Sequence, residues 1–139
     1  MGFELFQHTA DLGIRVWANS KAELVSEAVK GLYGAIGEIE PEAQETEQMS
    51  EFTAEADSDA HLLRDFLAHV LFTLETRHRM VTSISVHYFE APQIRLTVGT
   101  KLVAPDLSVY HREVKAITYH ELALDQKDDG YELSMIVDI

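Results

Sequence analysis

Two short stretches at opposite ends of the chain carry residues that could do chemistry. The first is His8-Thr9-Ala10-Asp11, with Gly13 close behind. The second is Val137-Asp138-Ile139, where a side-chain carboxylate stands next to the α-carboxylate of Ile139. Each has a bland reading. An Asp at a hairpin tip accepts bonds from nearby backbone N–H groups and needs no further role. A final strand commonly frays, with its acids simply solvated. Against that, Leu133, Met135, Ile136, Val137 and Ile139 make this end too apolar to be loose. A packed strand ending in two carboxylates concentrates negative charge that calls for a cation. If Asp11 lies near, three carboxyl groups meet, and all-oxygen ligation suits Ca²⁺ or Mg²⁺ rather than zinc. A third stretch, residues 113–120, mixes apolar and functional groups. There Lys115 reads equally as a surface charge or as the partner of a carboxylate. His120 is expected on a strand face with Leu122 and Leu124, where a lone His is most often a hydrogen-bonded core residue.

Other chemistries drop out. The chain has no cysteine, which excludes disulfides, thiolate metal sites and a cysteine nucleophile. It is compatible with a reducing cytosol. No phosphate-binding Gly-rich loop and no Gly-x-Ser-x-Gly elbow occurs. His120-Glu121 begins like a zincin motif, but the second His is missing. Asp125 to Gly130 faintly resembles the start of a calcium loop, yet Lys127 and Ile136 stand at its third and twelfth positions. Asp57 and Asp59 could hold a metal, but flanking Ser58 they read as helix-capping acids. The 139 residues carry 24 acidic and 11 basic side chains, a net charge of −13. Direct nucleic-acid binding and anionic membranes are both disfavoured by that balance. No apolar run is long enough to span a membrane. The start, Met-Gly-Phe-Glu-Leu-Phe, reads as neither a signal peptide nor a myristoylation site, given Glu4 and Phe6.

The elements that must position these residues follow from periodicity. Residues 3–8 read as a strand, and 12–18 as a second, with Leu12, Ile14, Val16 and Ala18 on one face. Ser20 and Glu23 form a capping box that opens a helix. Its stripe is Val25, Val29, Leu32 and Ile36, with Ala22 and Ala28 beside it, and Gly34 and Gly37 help to end it. Residues 38–59 hold nine acids and no Lys or Arg. They read as a solvated loop marked by Pro41, then a strand at about 47–56. A docking surface for a basic partner is the sharper reading of the run. A core helix is expected from about Ser58 to Thr76 on Leu62, Leu63, Phe66, Leu67, Val70, Leu71 and Leu74. Strands follow, one with Met80, Thr82, Ile84, Val86 and Tyr88 on a face, one with Ile94, Leu96 and Val98. A region at 109–124 is expected as two segments around Ala116. Asp129-Gly130 signals a two-residue turn before a last strand from Tyr131. About eight strands and two amphipathic helices, with short late connections, predict a single α+β domain over 1–139. Its sheet is antiparallel, with the helices on one side.

The three stretches together resemble the archease family. The matching residues are His8-Thr9-Ala10-Asp11-Leu12-Gly13-Ile14, Lys115-Ala116-Ile117-Thr118-Tyr119-His120 and Ile136-Val137-Asp138-Ile139. Between about 38 and 110 only the layout matches, and Ala18-Asn19-Ser20 departs from a pattern with Gly before the helix. The resemblance implies an α+β domain acting as a protein cofactor for RtcB-type RNA ligases in tRNA splicing and RNA repair. It implies promotion of ligase guanylylation and multiple turnover. It also implies a metal site at Asp11, Asp138 and Ile139, and a role for Lys115 in activation; His8 and His120 are added here as candidates.

The leading expectation is therefore a cytoplasmic, non-enzymatic ligase activator using Ca²⁺ or Mg²⁺. The acidic balance favours docking against a basic RNA-binding cleft. The alternatives are a small metal-dependent hydrolase with His8, Asp11, His120 and Asp138 as ligands or bases, and a chaperone-like modulator of nucleic-acid-processing enzymes.

Overall fold

The structure, a computed structural model, describes residues 1–42, 47–90 and 95–139. Its elements are β1 (Gly2–His8), β2 (Asp11–Ala18), α1 (Lys21–Ile36), β3 (Gly37–Pro41), β4 (Gln48–Glu55), α2 (Asp59–Arg77), β5 (Met80–Glu90), β6 (Arg95–Val103), β7 (Pro105–Tyr110), β8 (Ala116–Ile117), β9 (Ala123–Lys127) and β10 (Gly130–Asp138). The fold is α+β, with antiparallel pairing throughout. The main sheet runs β1-β2-β10-β8, with β9 also paired to β10. A three-stranded sheet runs β4-β6-β5, and β3 pairs β7.

The period-two pattern of β2 decides the orientation of the main sheet. Leu12, Ile14, Val16 and Ala18 are buried on the face that α1 covers. From β10, Leu133, Met135 and Val137 join them at partner positions Val16, Ile14 and Leu12. The opposite face carries Asp11, Gly13, Arg15 and Trp17, and receives Phe6, Ser134 and Ile136 from the neighbours.

Ser20 caps α1 by accepting the Glu23 N–H at 3.2 Å, while the Glu23 carboxylate receives the Asn19 N–H at 3.3 Å. The reciprocal half of the expected box thus falls one residue early. The helix touches β1, β2 and β10 on one side and β3 and β5 on another, and α2 likewise contacts strands of both larger sheets. The helices therefore lie against two sheets rather than on one side of a single one. That double contact is why Leu24 and Ala35 are as buried as the expected stripe, whereas Ala22 is exposed. At the end of α1, Ile36 O accepts the N–H groups of His111 and Arg112 at 2.8 and 3.1 Å. Gly37 is extended, so its glycine answers a close approach: a Cβ there would lie 2.2 Å from Val109 O.

Ser58 caps α2 through the His61 N–H at 3.2 Å, and the whole expected stripe of α2 is buried. Asp59 is ion-paired to Lys21 at 2.6 Å. Three local expectations are corrected. The start of the acid run is a strand, β3, with Glu38 and Glu40 exposed along it. In β5 the pairing slips between Val81 and Ser83 and again between Val86 and Tyr88. Those bulges expose Thr82, bury Val81 and Phe89, and break the single face expected there. Asp128 and Asp129 form the last hairpin's turn, and Gly130 opens β10, paired to Lys127. Its φ of 155° and a would-be Cβ 2.1 Å from Ala18 O both require glycine. Ile94 and Glu45, part of the expected strand face and acid run, lie outside the described residues.

Candidate functional site

β1 and β2 are joined by a two-residue turn, Thr9-Ala10, with His8 directly across from Asp11. Ala10 takes a left-handed φ of 60° to close it. On the other side of β2, Val137 pairs Leu12, so the register carries Asp138 to the position beside Asp11. β10 in turn pairs Asp138 with Ala116 of β8. Residues directly opposite on antiparallel strands share a face. His8, Asp11 and Asp138 therefore form one row across the end of the main sheet, on the face away from α1.

Gly13 and Phe6 hold the row in place. They are paired across β1 and β2, and the Phe6 ring lies against the glycine. Arg15 sits 4.8 Å above the Phe6 ring and is itself ion-paired to Glu4 and, at 3.6 Å, to Glu132. The hairpin that bears His8 and Asp11 is thus clamped from below.

Lys115 belongs to the same end. Its backbone N–H donates to Asp138 O at 2.7 Å, and its side chain is exposed. Asp138 and Ile139 are also exposed, Asp11 partly so. Backbone pairing thus brings Asp11, Asp138, Lys115 and His8 to one edge, with Ile139 one residue beyond. Of these, the Asp11 and Asp138 carboxylates and the chain-end carboxylate offer hard oxygens, the donor type that Ca²⁺ or Mg²⁺ prefers, while Lys115 and His8 bring nitrogen.

His120 is where the sequence reading fails. It lies on no strand face with Leu122 and Leu124. The chain after β8 turns instead, with Leu122 N–H on Tyr119 O at 3.4 Å and Glu121 at a φ of 52°. Thr118 organises the turn. Its hydroxyl donates to Ile136 O at 2.9 Å and accepts the His120 N–H at 3.2 Å. Tyr119 is held between Arg64, 4.3 Å from its ring, and His61. Arg64 also donates to Ile117 O at 3.0 Å, which ties α2 to this corner.

The turn sets His120 against His8, ring centroids 5.5 Å apart and edge to face. Glu121 reaches both imidazoles. Its carboxylate oxygens are 3.2 Å from His8 Nε2 and 3.7 Å from His120 Nε2. Donor atoms of these three residues all lie within 4.8 Å of one another, the one such His, Asp and Glu group among the described residues. His8 Nδ1 is buried with no hydrogen-bond partner. Glu121 was missed as a site residue. Its adjacency to His120 was visible in the sequence, but a motif with one histidine says nothing about a second one 112 positions away.

A cleft of about 900 Å³ lies elsewhere, between α1, β3, β5 and β7. Tyr33 lies in its wall, and burial pushes the phenol up to about 12 while its oxygen accepts the Val81 N–H at 2.8 Å. Tyr33 is thus a structural acceptor. No described helix is long and apolar enough to cross a membrane.

Comparison with known proteins supplies the remaining constraint. The profile of the Archease protein family matches residues 3–139. Protein archease of Methanopyrus kandleri is 33% identical over 147 aligned positions that cover 100% of both chains. Protein archease-like of Drosophila melanogaster is 27% identical, covering 100% of this chain and 91% of its own. Among solved structures, protein 1598 of Methanobacterium thermoautotrophicum superposes with a TM-score of 0.73 at 22% identity, covering 99% of each chain. An archease from Thermotoga maritima gives 0.65 at 21% identity, covering 98% and 96%. At those identities the two structures speak to the fold alone.

Proposed function

The chain belongs to the archease family, and from that premise we propose that it is a non-enzymatic activator of an RtcB-type RNA ligase. In this reading it promotes guanylylation of the ligase and so its repeated turnover in tRNA splicing and RNA repair, in the cytoplasm. The observation that carries it is the row of His8, Asp11 and Asp138 across β1, β2 and β10, with Lys115 clipped to Asp138. The three sequence stretches that carry the resemblance meet at that one place.

Asp11, Asp138 and the α-carboxylate of Ile139 would hold a hard divalent cation, Ca²⁺ or Mg²⁺, which would supply positive charge toward a nucleotide's phosphates. The residues themselves do the presenting. The clamped hairpin fixes Asp11, the β8–β10 pairing fixes Asp138, and the exposed Lys115 and His120 flank them. Positioning of groups already in the ligase raises a rate without new covalent chemistry. A net charge of −13 suits docking on a basic cleft and departure before RNA enters.

The test is ligase guanylylation and multiple-turnover ligation with a cognate RtcB-type enzyme, with and without substoichiometric amounts of this protein. Acceleration of both is expected, weakening as salt rises. Unchanged rates at every salt concentration would sink the reading. The Thermotoga maritima relative has been described as a possible chaperone. Protection of the ligase from inactivation, with no change in guanylylation rate, would favour that reading instead. Turnover of phosphoester substrates by the protein alone would favour the hydrolase.

A further inference from the structure

We propose that His8, His120 and Glu121 form a second metal site, one for a borderline divalent transition cation such as Zn²⁺, distinct from the all-oxygen set at Asp11, Asp138 and Ile139. Two imidazole nitrogens and one carboxylate are donor types that zinc takes, and the imidazole nitrogens are the type that Ca²⁺ and Mg²⁺ avoid. Zinc ligands at about 2.0–2.1 Å in a tetrahedron stand roughly 3.3 Å from one another. His8 Nε2 and the Glu121 carboxylate are already 3.2 Å apart, and His120 Nε2 is 3.7 Å from that carboxylate. All three donors lie within 4.8 Å, so small rotations of the exposed His120 and Glu121 side chains close the set. A fourth position stays open to water or to a partner's group.

Local geometry shows that the cluster is built rather than incidental. Glu121 adopts a left-handed φ of 52°, a conformation that long side chains seldom take, and this places its carboxylate between the imidazoles. His8 is half-buried, and its Nε2 is the nitrogen turned to the Glu121 carboxylate, 3.2 Å away. The backbone of the turn is meanwhile fixed by Thr118, which holds both Ile136 O and the His120 N–H. An ion here would bridge the end of β1 to the turn after β8, tying the two flanks of the carboxylate row together.

The experiment is calorimetric titration of the chelator-stripped full chain with Zn²⁺ in excess Mg²⁺, repeated with Co²⁺ by visible absorption. One site is expected, with a tetrahedral Co²⁺ spectrum. H120Q and E121Q should each weaken Zn²⁺ binding by at least about tenfold, since even groups that only orient ligands cost that much. Both residues are exposed, so neither change threatens the fold; H8Q is the third arm, read beside its melting temperature. H78Q and H111Q, on histidines outside the cluster, should bind as wild type, and so should D138N. Zn²⁺ should raise the melting temperature of the wild type and not of E121Q. Wild-type affinity in both H120Q and E121Q would overturn the proposal. So would a loss in D138N equal to that in H120Q, which would place the ion among the carboxylates, or the absence of micromolar binding. None of these outcomes depends on the ligase.

Discussion

The Gly13–Phe6 contact makes the sharpest test of how the hairpin is held. A Cβ built on Gly13 would stand 2.2, 2.2 and 2.6 Å from three Phe6 ring atoms. Carbon atoms rest at about 3.5–4.0 Å, so Gly13→Ala must push the ring away by more than ~1 Å. The ring cannot slide freely, because Arg15 covers it and is ion-paired to Glu4 and Glu132. Overpacking of this kind costs about 1–3 kcal/mol. Gly13 is not in a left-handed conformation, so the whole effect should pass through Phe6. A double-mutant cycle isolates it. Urea denaturation of the wild type, Gly13→Ala, Phe6→Ala and the double variant should show Gly13→Ala nearly silent once the ring is gone. The coupling energy should be about 1–3 kcal/mol, above the ~0.5 kcal/mol by which independent sites fail to add. Equal cost of Gly13→Ala with and without Phe6 would refute the reasoning. It would mean that the glycine serves the backbone rather than the ring. The same displacement lifts His8, two residues from Phe6, and Asp11, two from Gly13, so ligase activation should fall with the stability.

Three further outcomes follow from other contacts. Asp11→Asn and Asp138→Asn each remove an anionic donor and little volume, so each should abolish ligase activation with an unchanged melting temperature; normal activation would remove that carboxylate from the proposed site. Tyr33→Phe strips the acceptor from the buried Val81 N–H and should cost about 1–3 kcal/mol by urea denaturation. The raised Tyr33 phenol also makes wild-type stability fall as pH rises from about 10 to about 12, because the unfolded chain ionises first. The rise of the phenol from 10 to about 12 corresponds to roughly 2–3 kcal/mol, and Tyr33→Phe should lose that part of the alkaline slope. Ala10→Gly relieves a left-handed alanine at about 1–2 kcal/mol but adds about 0.5–1 kcal/mol of backbone entropy. A net gain of a few tenths to 1 kcal/mol is expected, and a loss would show that Ala10 makes a contact worth more than its strain.

How much of this was legible in the sequence varied with the reach of the cause. β2, β4, β10 and both helices came from local periodicity and caps, and the stripes expected on β2 and α2 are buried whole, that on α1 except for Ala22. What failed was set at a distance. β3 looks like an acidic loop because its strand character comes from pairing with β7, almost 70 residues on. The β5 bulges answer the register of β6, so Val81 and Phe89 turn inward where alternation predicts otherwise.

The row of carboxylates shows the same division. Nothing in the spacing of Asp11 and Asp138 says that they are neighbours; the resemblance supplied it, and the β2–β10 register places them side by side. His120 shows the limit more clearly. Ala116, Thr118, His120, Leu122 and Leu124 alternate like a strand, and pairing with β10 does begin at Ala116. Beyond Ile117 the Thr118 N–H still donates to Ile136 O in the same register, and its hydroxyl adds a second bond to that carbonyl. The chain leaves the ladder where the His120 N–H turns back onto the Thr118 hydroxyl, and the left-handed Glu121 completes the turn before β9 resumes pairing with β10. A side chain's choice to bond a backbone group is weakly encoded in residue type, since threonine is equally at home inside a strand. That single choice lifts His120 off the sheet and delivers it, with Glu121, to His8.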